Sequence, residues 1–423
     1  AQFCEGELAP INRSGDEEGC TFTNGVVTTP KGFKEAYAKF VELGFGSLSA
    51  EVEHGGQGLP PTVGIALSEM MGTANWSFGM YPGLSHGAIN TVEAHGTPEQ
   101  KEVYLTKLIS GEWTGTMCLT ESHAGSDLGI IRTKAEPNAD GSYAITGNKI
   151  FISAGEHDLA GNIVHIVLAR LPDAPKGTKG ISLFIVPKFL PSGERNGVAC
   201  GSIEHKMGIK ASATCVMNFD GATGFLIGPP NRGLNCMFTF MNTARIGTAV
   251  QGLAAAEGSF QGALEYARDR LAMRALTGPT NPEKEADPII VHPAVRQLLL
   301  TQKAFAEGGR LLCYWLSTQN DIIQGSTDED AKKKADELLS FLTPIAKAFL
   351  TETGYEAANH GVQVYGGHGF IREWGMEQIV RDTRIALLYE GTTQIQALDL
   401  LGRKVLQTQG AMLRNFTKLI HKL

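Results

Sequence analysis

The sequence lacks several features that would assign a protein class at once. It contains no uninterrupted apolar run of the about 18 residues that a transmembrane helix requires, and neither a Cys-x-x-Cys nor a His-Glu-x-x-His motif. Its seven cysteines are scattered and odd in number, which argues against a disulfide framework. We therefore expect a reduced, cytoplasmic protein with no membrane span and no metal site.

Positive charge is also scarce. The 37 lysines and arginines are outnumbered by 44 aspartates and glutamates, so the formal net charge is -7. An acidic chain disfavours a general nucleic-acid-binding surface. Apolar residues make up 42% of the 423 residues, which is ordinary for a globular protein and allows about two or three packed units.

The apolar pattern divides the chain into three predicted domains. Residues 1–112 are predicted to be helical, with a Gly- and Pro-rich break at 55–61 and an N-cap at Thr97. Residues 113–228 are predicted to form a compact β-domain, because short apolar runs alternate there with turn residues. Residues 229–423 return to long helical patterns. The predicted strands are Thr114–Leu119, Tyr143–Ile145, Lys149–Ile152, Ile163–Leu168, Ile181–Val186 and Cys215–Phe219, and the predicted helices of the last domain are 233–273, 293–324, 331–360 and 392–420.

The first of four informative runs is Tyr389-Glu390-Gly391-Thr392-Thr393-Gln394. A lone carboxylate follows an apolar stretch there, Gly391 permits close approach of a ligand, and Thr392 is suited to cap a new helix. An apolar pocket raises the pKa of a carboxylate toward neutral pH, which suits a general base. A surface Glu in an ordinary loop is the alternative interpretation.

The other three runs each combine small, polar or aromatic residues in a loop or strand. In Met117–Asp127, backbone N–H groups and hydroxyls could meet a carbonyl or phosphate, although a plain polar loop has the same composition. In Gly147–Ser153, Phe151 and Ser153 share a strand face and could cover and bond a flat heterocycle, unless Phe151 is a core residue. In Gln363–Phe370, three glycines allow close backbone approach, as does a simple turn between helices.

In this order and at these separations, the four runs resemble the acyl-CoA dehydrogenase family over nearly the whole chain. The resemblance implies an N-terminal all-α domain, a middle β-barrel and a C-terminal four-helix bundle, with FAD between barrel and bundle. It also implies α,β-dehydrogenation of an acyl-CoA thioester to the trans-2-enoyl-CoA, in fatty-acid β-oxidation or related short-acyl catabolism. Electrons would pass to an electron-transfer flavoprotein.

Site residues follow from the same resemblance. It makes Glu390 the catalytic base, and the base found elsewhere in other branches is absent because Ala244 occupies that position. Phe151 and Ser153 stand where the family usually has Trp and Thr. The expected FAD contacts are Met117, Leu119, Thr120, Gly125, Ser126, Phe151, Ile152, Ser153, Arg270, His292, Gln363, Gly366, Gly367, Thr392 and Gln394, and the expected substrate contacts are Ser126, Asn242, Arg245 and Gly391.

The resemblance further implies an assembly and a branch. In the family, the counterparts of Arg270 and of Gln363–Gly367 reach the FAD of a partner subunit, so we expect a dimer or tetramer. The long loop from Leu276 to Pro288 and the run Gly402-Arg403-Lys404 resemble an enlarged bacterial branch that includes 3-methylmercaptopropionyl-CoA and fatty acyl-CoA dehydrogenases. That branch carries an extra C-terminal domain, and we expect one after Leu423. An acyl-CoA oxidase and a DNA-binding, non-catalytic relative remain as alternatives.

Overall fold

The computed structural model describes residues 1–421 and divides into two units. The mixed unit consists of Gln2–Gly64 and Ser77–Ala244. The helical unit consists of Ile65–Trp76 and the residues from Arg245 onward, together with Ala1.

Helices dominate the first 112 residues, as the sequence predicts. After a short π-helical turn at Cys4–Leu8, the helices are α1 (Pro10–Glu18), α2 (Phe33–Glu42), α3 (Pro61–His95) and α4 (Pro98–Ser110). The predicted break at 55–61 is confirmed, since α3 begins only at Pro61. The predicted cap is also confirmed: the Thr97 hydroxyl accepts from the Gln100 N–H at 3.2 Å, and the Gln100 side chain accepts from the Thr97 N–H at 3.0 Å.

A β-hairpin in this helical segment was not predicted. Strands β1 (Thr21–Thr23) and β2 (Val26–Thr28) pair antiparallel around the two residues Asn24 and Gly25. Both turn residues have positive φ, 52° and 82°. Asn-Gly favours this turn because both residues tolerate a left-handed backbone, so the signal was present in the sequence.

The middle segment is one seven-stranded sheet. Its strand order is β3-β6-β7-β9-β5-β4, and β8 pairs with β9. Bonds from the Ala135 N–H to the Arg170 carbonyl (2.8 Å) and from the Arg170 N–H to the Thr133 carbonyl (2.9 Å) link β4 to the end of β6 and close the sheet into the predicted barrel. The strands are β3 (Trp113–Cys118), β4 (Lys134–Pro137), β5 (Tyr143–Ser153), β6 (Asn162–Ala169), β7 (Ser182–Pro187), β8 (Val198–Ile203) and β9 (Thr214–Ile227).

Three long helices form the frame of the helical unit: α5 (Gly233–Asp269), α6 (Pro293–Gly325) and α7 (Glu329–Tyr365). Helices α5 and α7 touch at two glycines. A β-carbon on Gly354 would lie 2.3 Å from the Gly252 carbonyl oxygen, and one on Gly252 would lie 2.0 Å from the Leu350 carbonyl oxygen. Neither position therefore has room for a side chain, and the two backbones meet directly.

The last helix was predicted to be continuous, and this prediction is wrong. Instead of one helix over 392–420, the chain forms α9 (Thr393–Leu398), a π-helical turn at Asp399–Leu406 and α10 (Ala411–Ile420). Gly410 has a φ of 76°, a left-handed conformation that no helix continues through. The short helix α8 (Met376–Arg384) was missed, because only nine residues carry its pattern. Within residues 1–421, none of the helices combines the length and hydropathy needed to cross a bilayer.

Candidate active site

The predicted base, Glu390, follows a 3₁₀ turn at Ile385–Leu387. Its side chain is half-buried and its backbone is left-handed, with a φ of 56°. A positive φ is uncommon in a residue other than glycine and often marks a functional position. Burial raises the pKa of Glu390 to about 7, against the opposing effect of the Arg245 and Lys347 charges. The predicted direction of this shift is therefore confirmed.

Two side chains hold the backbone carbonyls at and after Glu390. Lys347 Nζ on α7 donates to the Gly391 carbonyl at 2.6 Å. Gln396 Nε2 on α9 donates to the Glu390 carbonyl at 2.9 Å and to the Gly391 carbonyl at 3.1 Å. Among residues 1–421, the Glu390 N–H has no hydrogen-bond acceptor. The turn thus keeps its carbonyls bonded and one amide donor unpaired.

Gly391 stays a predicted substrate contact. A β-carbon there would lie 2.7 Å from Gln396 Nε2 and 3.1 Å from Ile395 Cγ2. The chain itself therefore fills the side of the residue that a side chain would occupy. Glycine is required at this position for its φ of 87° and for the contact with Gln396.

Arg245 was expected to contact the substrate, but the structure buries it in an ion pair. Its guanidinium donates to Asp399 Oδ2 at 2.8 Å, and Arg403 donates to Asp399 Oδ1 at 3.1 Å. Only 3% of Arg245 is exposed, so its charge acts on Glu390 from within the helical unit. Asn242, the neighbouring predicted substrate contact, is exposed at the surface of the mixed unit.

In the mixed unit, a buried ion pair joins the Met117–Asp127 loop to β5. Lys149 Nζ donates to Glu121 Oε1 and to the Leu119 carbonyl, both at 2.9 Å. Glu121 also accepts from the Thr133 hydroxyl at 2.6 Å and from the Arg132 N–H at 2.7 Å. Burial alone would raise the pKa of Glu121, but the Lys149 charge and these hydrogen bonds hold it below its usual value.

Two further bonds link β5 to this loop and to the end of β3 just before it. The Ile150 N–H donates to the Thr120 carbonyl at 2.9 Å, and the Thr116 hydroxyl donates to the Ser153 carbonyl at 2.5 Å. The fold therefore brings together the FAD contacts predicted at 117–120 and at 151–153. Gly125 and Ser126 lie further along the loop and are exposed.

Phe151 is an exposed residue at an irregularity of β5. The register shifts between Lys149 and Ile152, Phe151 has a φ of 57°, and 60% of the residue is exposed. The core interpretation of Phe151 is therefore wrong, and so is the simple alternation assumed for this strand. Ile152 is buried in the barrel core, which leaves only its backbone for the predicted FAD contact, while Ser153 is half-buried.

A second group of predicted residues lies near the ends of α5 and α7. The Arg270 carbonyl accepts from the Ile289 N–H at 2.8 Å, and His292 Nε2 lies 2.8 Å from the Ala272 carbonyl, so the long loop returns His292 to the end of α5. Tyr266 stacks on Tyr365 at 4.2 Å, which joins this end of α5 to the end of α7. Of the predicted FAD contacts here, His292 is half-buried and the exposed ones are Arg270, Gln363, Gly366 and Gly367.

The remaining predicted contacts lie at the start of α9. The Thr392 hydroxyl accepts from the Ile395 N–H at 3.3 Å, which confirms the predicted cap. Gln394 is exposed. Neither Lys347 nor Gln396 was predicted, although a single lysine inside the apolar run Pro344–Leu350 was a usable signal.

Comparisons with known proteins agree along the whole chain. Three family models match: the acyl-CoA dehydrogenase N-terminal domain over residues 1–112, the middle domain over 116–222 and the C-terminal domain over 231–406. The 3-methylmercaptopropionyl-CoA dehydrogenase of Ruegeria pomeroyi is 49% identical over 99% of this chain and 71% of its own length. The chain belongs to the acyl-CoA dehydrogenase family.

Two further acyl-CoA dehydrogenases are similar over nearly all of the chain. A butyryl-CoA dehydrogenase of Syntrophomonas wolfei is 36% identical over 98% of this chain and 70% of its own length. The structure of the butyryl-CoA dehydrogenase from Megasphaera elsdenii superposes with a TM-score of 0.79 at 26% identity, covering 95% of this chain and 94% of that one.

As an acyl-CoA dehydrogenase, the chain is an FAD-dependent oxidoreductase that acts on acyl-CoA thioesters. The residues present fit this cofactor. Phe151 exposes its aromatic ring in the segment that also carries the Ser153 hydroxyl, and the Ile150 N–H bonds this segment to the Thr120 carbonyl. An aromatic face next to polar donors and acceptors matches a flat heterocycle with a polar edge.

Proposed function

We propose that this acyl-CoA dehydrogenase uses Glu390 as its base and acts on a short acyl-CoA thioester, with 3-methylmercaptopropionyl-CoA as its main substrate. The similarity to the Ruegeria pomeroyi enzyme supports this substrate. An unbranched short substrate such as butyryl-CoA is the second candidate, supported by the Syntrophomonas wolfei relative.

The observation that supports the base is the environment of Glu390. A pKa of about 7 means that the carboxylate can both accept and return a proton near neutral pH. Glu390 would remove the α-proton of the thioester, and its unpaired N–H would donate to the thioester carbonyl as negative charge develops there. A preorganised donor of this kind is typically worth about 3–4 kcal/mol in the transition state.

Each unit carries predicted contacts with the cofactor. In the mixed unit these are the backbone and hydroxyls at 117–126 and the Phe151–Ser153 segment. In the helical unit these are Thr392 and Gln394. When bound, FAD supplies the acceptor for the hydride that leaves the β-carbon. An electron-transfer flavoprotein is the proposed acceptor of the electrons, and the cytoplasm, in which the seven free cysteines would stay reduced, is the proposed compartment.

The protein is expected to be at least a dimer. The supporting observation is that Arg270, Gln363, Gly366 and Gly367 are exposed, as contacts with the FAD of a partner subunit would require. Light scattering on the flavin-loaded protein should give at least twice the mass of one chain. A monodisperse monomer that retains FAD would contradict the proposal.

A substrate panel tests the proposed activity. The flavin-loaded protein is mixed without oxygen with 3-methylmercaptopropionyl-CoA, butyryl-CoA and a long unbranched acyl-CoA, and flavin absorbance is followed. We expect the first to bleach the flavin fastest and the long substrate slowest. Faster reduction by the long substrate would overturn the chain-length proposal. Rapid reoxidation on admission of air, without an electron-transfer flavoprotein, would identify an oxidase instead.

A further inference from the structure

We infer that Lys347 is a positioning residue for the reaction: with Gln396 it holds the Glu390–Gly391 backbone in its left-handed turn, and its positive charge favours the carboxylate form of the base. This inference rests on the proposal that Glu390 is that base. It goes further because it assigns a role to a lysine that lies on α7, far from Glu390 in the sequence.

The burial of Lys347 is unusual for a lysine. The residue is 0% exposed, and among residues 1–421 its ammonium donates to one acceptor, the Gly391 carbonyl at 2.6 Å. Burial of a charge without a hydrogen-bonded carboxylate is costly, so such a group is a functional candidate. Burial lowers the pKa of Lys347 to about 8 against the pull of Glu390, so the ammonium is charged at neutral pH.

The bonds around Glu390 show what Lys347 and Gln396 hold in place. Before Glu390, the Tyr389 N–H is bonded to the Ile385 carbonyl at 3.1 Å. After it, Gln396 and Lys347 hold the next two carbonyls. The positive φ of Glu390 is therefore fixed from both sides, and with it the direction of the unpaired Glu390 N–H. Without these bonds the residue would relax toward a negative φ.

The charges facing Glu390 in the helical unit are few. Among residues 1–421, the cations that act most on its pKa are Arg245 from α5 and then Lys347 from α7, and Tyr389 is its titratable neighbour. Arg245 is already matched by Asp399 at 2.8 Å. Glu352, one turn beyond Lys347 on α7, acts on Lys347 only through space. Lys347 is therefore the less compensated of the two cations, and its removal should increase the proton affinity of Glu390.

The experiment compares four variants with a matched control. Lys347→Met removes both the bond and the charge, Lys347→Gln removes the charge but keeps a polar group, Lys347→Arg keeps the charge, and Gln396→Leu removes only the other set of bonds. Lys332→Met is the control, since Lys332 is a half-buried lysine on α7 that pairs with Glu329 at 2.9 Å near the start of the helix. FAD content, melting temperature and the rate of flavin reduction by acyl-CoA are measured across the pH range on either side of 7.

The expected result is a change in rate together with a change in pH profile. Lys347→Met should reduce flavin about tenfold to 10²-fold more slowly, with its pH midpoint raised by about one unit, since one nearby charge is worth about that much. Lys347→Gln should show the same raised midpoint. Lys347→Arg should restore the midpoint, Gln396→Leu should be slower with an unchanged midpoint, and Lys332→Met should behave as the native protein.

Other outcomes decide against the inference. A purely structural lysine would lower the melting temperature and leave the pH midpoint of Lys347→Met and Lys347→Gln unchanged. If Lys347→Met does not fold, Lys347→Gln and Gln396→Leu still carry the comparison, and native behaviour of both overturns the inference. Glu390→Gln separates the assignment of the base from the inference about Lys347. If Glu390→Gln reacts at the native rate, the assignment of the base is wrong. If it is slow while the Lys347 variants are native-like, only the inference about Lys347 is wrong.

Discussion

Glu390→Gln is expected to reduce its flavin about 10²–10⁴-fold more slowly than the native protein, because a positioned base contributes about that much. Glutamine keeps the shape and the polarity of the side chain but does not accept the α-proton. Binding of FAD and of acyl-CoA should change little. Rapid mixing with acyl-CoA in the absence of oxygen measures the rate directly.

The pH dependence supplies an independent check on the same residue. The pKa of Glu390 is raised to about 7, so the active carboxylate form increases as the pH rises through that value, and the native rate should rise with it. Glu356→Gln is a matched control, since Glu356 is an exposed carboxylate on α7, and it should keep both rate and profile. If Glu390→Gln reacts as fast as this control, the base lies elsewhere.

Lys149→Met is expected to destabilise the protein by about 3–5 kcal/mol, the usual cost when one partner of a buried ion pair is removed. Lys149 is 0% exposed and Glu121 is 5% exposed, so the carboxylate would stay in the interior without its cation. The loop at 117–126 would lose its side-chain link to β5 and keep only the backbone bond between Ile150 and Thr120, so FAD retention should fall with stability. Thermal and denaturant unfolding, with flavin absorbance, measure both effects.

An exposed pair provides the comparison for Lys149. Lys107 and Glu112 form an ion pair at 2.6 Å in which both side chains are about half exposed, and such pairs contribute only about 0–1 kcal/mol. Lys107→Met should therefore unfold almost as the native protein does. The double variant Lys149→Met with Glu121→Gln should recover part of the loss, because no buried charge remains. Equal stability of Lys149→Met and Lys107→Met would show that the buried pair does not hold the loop.

Features with local causes were predictable from the sequence. Thr97 before Pro98 predicted a capped helix, and Thr392 predicted another, because a cap depends on residues within one turn. Five of the seven barrel strands followed from short apolar runs, although β5 was predicted as two pieces, and β4 and β8 were missed. Even where the prediction missed an element, as at Asn24-Gly25, the cause was local and visible. Four runs in the correct order were enough to identify the family.

Features that depend on distant residues were decided only by the tertiary structure. The run before Glu390 predicted a raised pKa, but not the two cations that oppose the shift, since Lys347 and Gly391 are 44 residues apart in the chain. Glu121 and Lys149, 28 residues apart, were likewise not predicted as a pair. The position of Phe151 was predicted from a regular alternation of side chains between the two faces of a strand. The irregularity in β5 breaks that alternation. Charge interactions and burial depend on distances in space, which the order of residues along the chain does not contain.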